Sequence, residues 1–281
     1  MSSMRHATAP ERTLDRSAYV IELRIAPGVP DYERHIFRPK RHRYCVAVFV
    51  INEGERIRGQ LRGMAPLAGQ IDIVVADGGS TDGSLALETL GEFNLRAVLV
   101  KRGPGRLSAQ MRMAVDFALA EGYDGLVVID GNGKDDYSAI PRFVELLADG
   151  YDHVQGSRYV PGGKGINTPL SRTIAVRLLH APVVSLAAGT RYTDTTNGFR
   201  AYSRKLLTDP RVAPLRDVFM GYELHYYLAI RAARLGFRTI ETPVTRRYPK
   251  TGKTPTKISP IKGSLLILRT LAAAALGRFD P

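Results

Sequence analysis

Three short acidic turns carry the residues best suited to chemistry: "NEGE" around Glu53, "ADGGSTDGS" from Ala76, and "DGNGKDD" from Asp130. Each directly follows a run of apolar, largely β-branched residues, which reads as a buried strand. Open α/β sheets present their ligand-binding groups at the carboxyl ends of strands. In a parallel sheet those ends share one edge, so Glu53, Asp77 and Asp130 are expected to converge although they lie far apart in the chain. Each turn alone has a plainer reading, because Ser80, Thr81 and Asp82 are natural helix caps and Gly131 and Gly133 natural turn formers. The coincidence of three points to a site.

The elements that would position these turns follow from the pattern. From Tyr44 the chain alternates strand "YCVAVFVI", helix Glu53 to Leu67, strand "IDIVVA", helix Gly83 to Glu92, strand "LRAVLV", helix Arg106 to Ala120 and strand "GLVVID". This alternation implies right-handed crossovers and a parallel sheet with helices on both faces. After "YDHVQGS" come a Gly/Pro loop, a long apolar helix to about Ala188, the polar stretch "TDTTNGFRAYSR", a helix Tyr222 to Leu235 and a strand "FRTIETPV". The basic loop "TRRYPKTGKTPTKIS" and a final helix close the chain. Residues 1 to 42 read as an arm with one edge strand, 43 to 259 as the main domain and 260 to 281 as an amphipathic helix.

Composition sets outer bounds. The 281 residues are 44% hydrophobic, enough for a sizeable core, and 40 Lys+Arg against 27 Asp+Glu give a net charge of +13 that favours anionic partners. The one cysteine, Cys45, excludes an internal disulfide and fits a reducing compartment. No secretory leader and no run of about 18 apolar residues is evident, so no membrane span is expected.

The stretches "VVADGGSTDGS", "VVIDGN", "VQGSRYVPGG", "TDTTNGFRAYSR" and "LGFRTIETPVT" together resemble the family 2 glycosyltransferases of GT-A fold, above all the branch that moves a sugar from a nucleotide onto a polyprenyl phosphate. The resemblance runs from about Tyr44 to Ser259 and implies a Rossmann-like, mostly parallel sheet. It implies nucleotide contacts from Glu53, Asp77 and Asp130, and a divalent cation, Mg²⁺ or Mn²⁺, at a D-x-D signature that here reads Asp130-Gly131-Asn132. Asn132 offers an uncharged oxygen in place of the second carboxylate. The metal site is therefore expected to be weak, with Lys134 as a partial substitute for the cation and Asp135 or Asp136 as replacement carboxylates.

The same resemblance places Asp194 and Arg200 in the acceptor pocket and Arg158 and Arg172 on the acceptor phosphate, where guanidinium groups bind by bidentate hydrogen bonds. Arg247, Lys253 and Lys257 are candidates for closing over the diphosphate. The implied reaction is inverting transfer from a UDP- or GDP-linked sugar. A phosphate acceptor is already anionic and needs no strong base; a hydroxyl of a glycan or small molecule, the alternative acceptor, would need one, with Asp194 the first candidate and Glu223 the second. His225, near Glu223, faces either acceptor or solvent.

Two other classes are weaker. "RGPGRLS" nearly spells a dinucleotide-binding turn but follows the third strand and has Ser108 for its last glycine. A basic nucleic-acid binder would lack a recognisable RNA-binding motif, and the acidic edge would repel a phosphate backbone. The expected location is cytoplasmic, peripheral at the inner membrane face, with the final helix touching lipid through Leu265, Leu268, Leu271 and Leu276.

Overall fold

The computed structural model describes residues 20–250 and 262–281. Its frame is a nine-stranded sheet in the order β1-β2-β5-β4-β3-β6-β9-β7-β10. The strands are β1 (Val20–Arg24), β2 (Tyr32–Ile36), β3 (Tyr44–Val50), β4 (Asp72–Asp77), β5 (Ala97–Lys101), β6 (Gly125–Asp130), β7 (His153–Ser157), β9 (Arg200–Ser203) and β10 (Thr239–Pro243). β8 (Lys164–Ile166) and β11 (Thr245–Arg247) form a separate parallel pair. Only β2 and β9 run against the other strands of the main sheet.

β3, β4 and β6 have apolar interiors because both faces of the sheet are covered there. In β3, Cys45, Ala47 and Phe49 join one core with α3 (Leu107–Ala120) and α8 (Glu223–Arg234). Val46, Val48 and Val50 join the other, with α1 (Glu55–Met64) and α4 (Ile140–Ala148). The two-residue period of a strand thus divides one sequence between two helix layers. The remaining helices are α2 (Leu87–Leu90), α5 (Leu170–Ala175), α6 (Ala181–Ala188), α7 (Arg204–Thr208) and α9 (Lys262–Ala275). A π-helical turn, Val176–His180, joins α5 to α6 without a break.

Four sequence expectations change. The arm supplies two strands, and it is anchored: the buried Tyr32 hydroxyl donates to Asp116 at 2.7 Å, where Arg24 also pairs at 3.0 Å. "FRAYSR" contains β9, whose Ala201 and Tyr202 point into opposite cores. The helix expected from Gly83 to Glu92 shortens to α2 and a following 3₁₀ turn. The fourth concerns membranes. The continuous helix Leu170–Ala188 is 19 residues long and, by length and composition, apolar enough to cross one.

Candidate active site

The carboxyl ends of β3, β4 and β6 meet along one edge, as their parallel pairing requires. Val50 pairs with Asp77 on one side and Phe49 with Asp130 on the other, so the two acids flank β3 two strand spacings, roughly 10 Å, apart. The turns are bonded to one another. Asn52 donates its backbone N–H to Ser80 Oγ at 2.9 Å and accepts from Thr81 at 2.7 Å, while Gly54 donates to Asp82 at 2.9 Å. Gln60, on α1, donates to the Asp130 carbonyl at 3.0 Å and accepts from the Gly133 N–H at 2.9 Å. This fixes the acidic turn to α1.

Within that frame each acid has partners. Asp77 is buried and accepts from the Ser80 N–H and hydroxyl, yet burial dominates and raises its carboxyl above the ordinary range. Glu53 accepts from Arg56 at 2.9 Å. At Asp130, burial pushes the carboxyl up, but Arg246 and Lys134 more than offset it and hold the pKa below the usual value. Gly198 packs against this carboxylate, and a Cβ there would stand 2.9 Å from Asp130 Oδ1.

Arg246 is the residue that sequence reasoning missed. Its guanidinium reaches Asp130 Oδ2 at 3.0 Å through Nη2 and bonds Asp135 through Nη1, and the residue is only 6% exposed. It is delivered by β11, which lies across the acidic turn: Asp136 N–H donates to the Thr245 carbonyl at 3.0 Å and Arg247 N–H to the Lys134 carbonyl at 2.7 Å. Strand alternation in "TRRY" was the available signal, since it turns Arg246 inward and Arg247 outward.

Tyr248 follows and is buried beneath a ring of cations. Lys134 Nζ, Arg172 and Arg246 stand 5.7, 5.6 and 5.9 Å from its ring centre, within reach of a cation–π contact. Lys134 and Arg247 also line an open cleft of about 470 Å³, together with Arg56 and Gln60. Burial, then repulsion from Arg246, lowers the Lys134 ammonium to about 8.

Several expected site residues serve the framework. Asp194 is fully buried and accepts from Arg158 at 2.6 and 2.9 Å, while its own N–H and that of Thr193 bond Glu241. Arg158, equally buried, uses its remaining N–H groups on Tyr248 and Thr196. Arg200 donates to the carbonyls of Asn197, Thr195 and His225. These arginines hold the polar turn "DTTNGFR" against β7 and α8, and none of them faces open solvent. Glu223 accepts from the Gly221 N–H at 2.7 Å beside the start of α3. His225 is buried, with Nδ1 3.3 Å from the Tyr202 hydroxyl. Arg172 is the half-exposed arginine of the set, and Lys253 and Lys257 lie outside the described residues.

The expected cation site can be tested on the donors themselves. Asn132 turns its amide nitrogen toward Asp130 at 3.3 Å and accepts from the Lys134 N–H at 3.2 Å, so both of its polar atoms serve the turn. Arg246 occupies the space between the carboxylates of Asp130 and Asp135. Among the described residues no group of three or more His, Cys, Asp or Glu side chains is placed to hold a metal ion. As arranged, Asp130 and Asn132 do not offer a divalent cation a ligand set.

Residues 45–209 match the model of glycosyl transferase family 2. The chain belongs to that family. It is 30% identical over 209 residues to the polyprenol monophosphomannose synthase of Mycolicibacterium smegmatis, spanning 72% of this chain and 77% of that one. It is 32% identical over 189 residues to the undecaprenyl-phosphate mannosyltransferase of Micrococcus luteus, spanning 66% and 75%. The fold matches glucosyl-3-phosphoglycerate synthase from Mycobacterium tuberculosis, solved with Mn²⁺, UDP-glucose and phosphoglyceric acid, at a TM-score of 0.59 and 21% identity, covering 85% of this chain and 80% of that one. This family 2 glycosyltransferase therefore has the GT-A fold that its sequence motifs imply.

Proposed function

We infer that the chain transfers a sugar, with inversion, from a nucleotide-diphosphate sugar to a polyprenyl phosphate at a membrane surface. One observation carries the acceptor assignment: Arg172, half-exposed beside Tyr248, belongs to the helix whose outer face is exposed leucine and isoleucine. Leu170, Ile174 and Leu178 recur every four residues on that face, and Leu178 and Leu186 are 75% and 87% exposed. A cation for a phosphate thus sits beside a surface suited to a lipid. The two mannosyl-transferring relatives support the same acceptor class.

In this reading Glu53 and Asp77 receive the base and ribose, where carboxylates suit N–H and O–H donors. The donor diphosphate lies over the acidic turn, facing Lys134 and Arg247. Arg172 receives the acceptor phosphate and aims its oxygen at the anomeric carbon for in-line attack. Positioning and leaving-group electrostatics supply the rate, and the acceptor anion needs no base, which accords with the enclosed setting of Asp194. The matched structure was solved with Mn²⁺, whereas Asp130 and Asn132, bonded to each other and to Arg246 and Lys134, are not arranged as a ligand set for such an ion. The donor is a UDP- or GDP-linked sugar.

Leu265, Leu266 and Leu268 of α9 extend the apolar surface, while Leu271 and Ala274 of the same helix pack on α8 and α6. The final helix is therefore part of the body with one face left for lipid. Arg177 and His180 in the middle of the Leu170–Ala188 helix make crossing costly, and favour lying in the headgroup layer. Co-sedimentation with phosphatidylglycerol vesicles tests this surface: binding that weakens with salt is expected, and no binding at low salt would favour a soluble hydroxyl acceptor.

A further inference from the structure

We propose that Arg246 stands in for the divalent cation, so that this enzyme binds its nucleoside diphosphate without metal. The inference rests on the donor reading given above. The guanidinium bridges Asp130 and Asp135, two carboxylates of the acidic turn, and almost no part of the residue reaches solvent. A divalent cation held by Asp130 and Asp135 together would have to displace the buried guanidinium that bridges them, and the Asp135 side chain is fully enclosed. Removing one member of such a pair leaves an uncompensated buried charge, which is strongly unfavourable.

The charges balance in the same way as a metal centre would. Arg246 and Lys134 together carry two positive charges beside the two carboxylates, the charge that one divalent cation would bring. Arg172 and Arg247 add positive potential around Tyr248 and the cleft. A diphosphate arriving there meets fixed cations in a partly desolvated setting, where they act more strongly than in water. Asn132 fits this arrangement better than an aspartate would. Its amide donates to Asp130, whereas a second carboxylate at that distance would repel Asp130 and demand a further cation.

The test is calorimetric binding of UDP and GDP to the full chain in EDTA and in Mg²⁺ or Mn²⁺, with Mn²⁺ uptake followed separately by electron paramagnetic resonance. The wild type is expected to bind one nucleotide in EDTA within about threefold of its affinity with metal, and to take up no Mn²⁺ alone. Arg246→Met combined with Asn132→Asp should reverse this, losing at least tenfold affinity in EDTA and regaining it with Mn²⁺. Arg246→Lys, which keeps the charge without the two-sided bridge, should fall between, and thermal melts show whether each variant is folded. Wild-type binding that drops tenfold or more in EDTA and returns with Mn²⁺ overturns the inference and leaves the donor reading intact. Absence of nucleotide binding under every condition sinks both.

Discussion

Replacing Asp194 by Asn tests whether that acid is a catalytic base or a buried anchor. The substitution keeps the shape but leaves Arg158 without its counter-charge at a site closed to water, where the pair meets at 2.6 and 2.9 Å. Breaking a buried ion pair by neutralising one partner costs about 3–5 kcal/mol. The hydroxyls of Tyr248 and Thr196 still accept from Arg158, which favours the lower end, about 3 kcal/mol. For a chain of this size each kcal/mol shifts the melting temperature by about 2–4 °C, so a fall of roughly 6–12 °C is expected. Thermal unfolding by circular dichroism reads it. In a cycle of R158M, D194L and R158M/D194L, the double variant removes both charges and should be more stable than the sum of the two single losses predicts, with a coupling energy of about 2 kcal/mol. A D194N protein that melts like the wild type but transfers no sugar would refute the anchor role and restore Asp194 as a base.

Gly198→Ala places a methyl against the Asp130 carboxylate, and should lower transfer by about tenfold with little change in melting temperature; unchanged turnover would mean that Asp130's position is unimportant. Leu178→Asp with Leu186→Asp should cut vesicle binding severalfold while leaving nucleotide binding intact, and equal binding would move the lipid surface elsewhere. Acid should destabilise the fold through His153, buried and held neutral with a pKa lowered to about 3 by burial and then by Arg200. Its folded value lies below its unfolded one, so the stability is fully present above about pH 6.5 and is lost as pH falls toward 3, at most about 5 kcal/mol in all. His153→Leu should flatten that slope in urea unfolding; an unchanged slope would assign the acid sensitivity to other groups.

The strand-helix alternation was legible because its signal is local: β3, β4 and β6 are continuous apolar runs, and their acidic turns share an edge by topology alone. β9 was hidden because a four-residue strand centred on "RAY" places Arg200 and Tyr202 inside, where their partners come from distant segments. For the same reason Arg158, Arg200 and Asp194 could be named but not oriented. Charged residues in a glycine-rich polar turn look alike whether they face a ligand or a buried partner 36 positions away. Arg246 was legible only as one of two adjacent arginines, and the contact that fixes it spans more than a hundred residues. The sequence predicts the apolar helix ending near Ala188 but not which of its faces is left exposed, because apolar residues on every side give no sign of which side packs.

The most direct test of the account is a transfer assay with the full chain, supplied with a panel of UDP- and GDP-linked sugars and either a short polyprenyl phosphate or the matching polyprenol. The account predicts a single sugar-phosphate-polyprenyl product from one donor, with inverted anomeric configuration by NMR and none from the polyprenol. Transfer to the alcohol or to a glycan hydroxyl, with the phosphate inert, would contradict it.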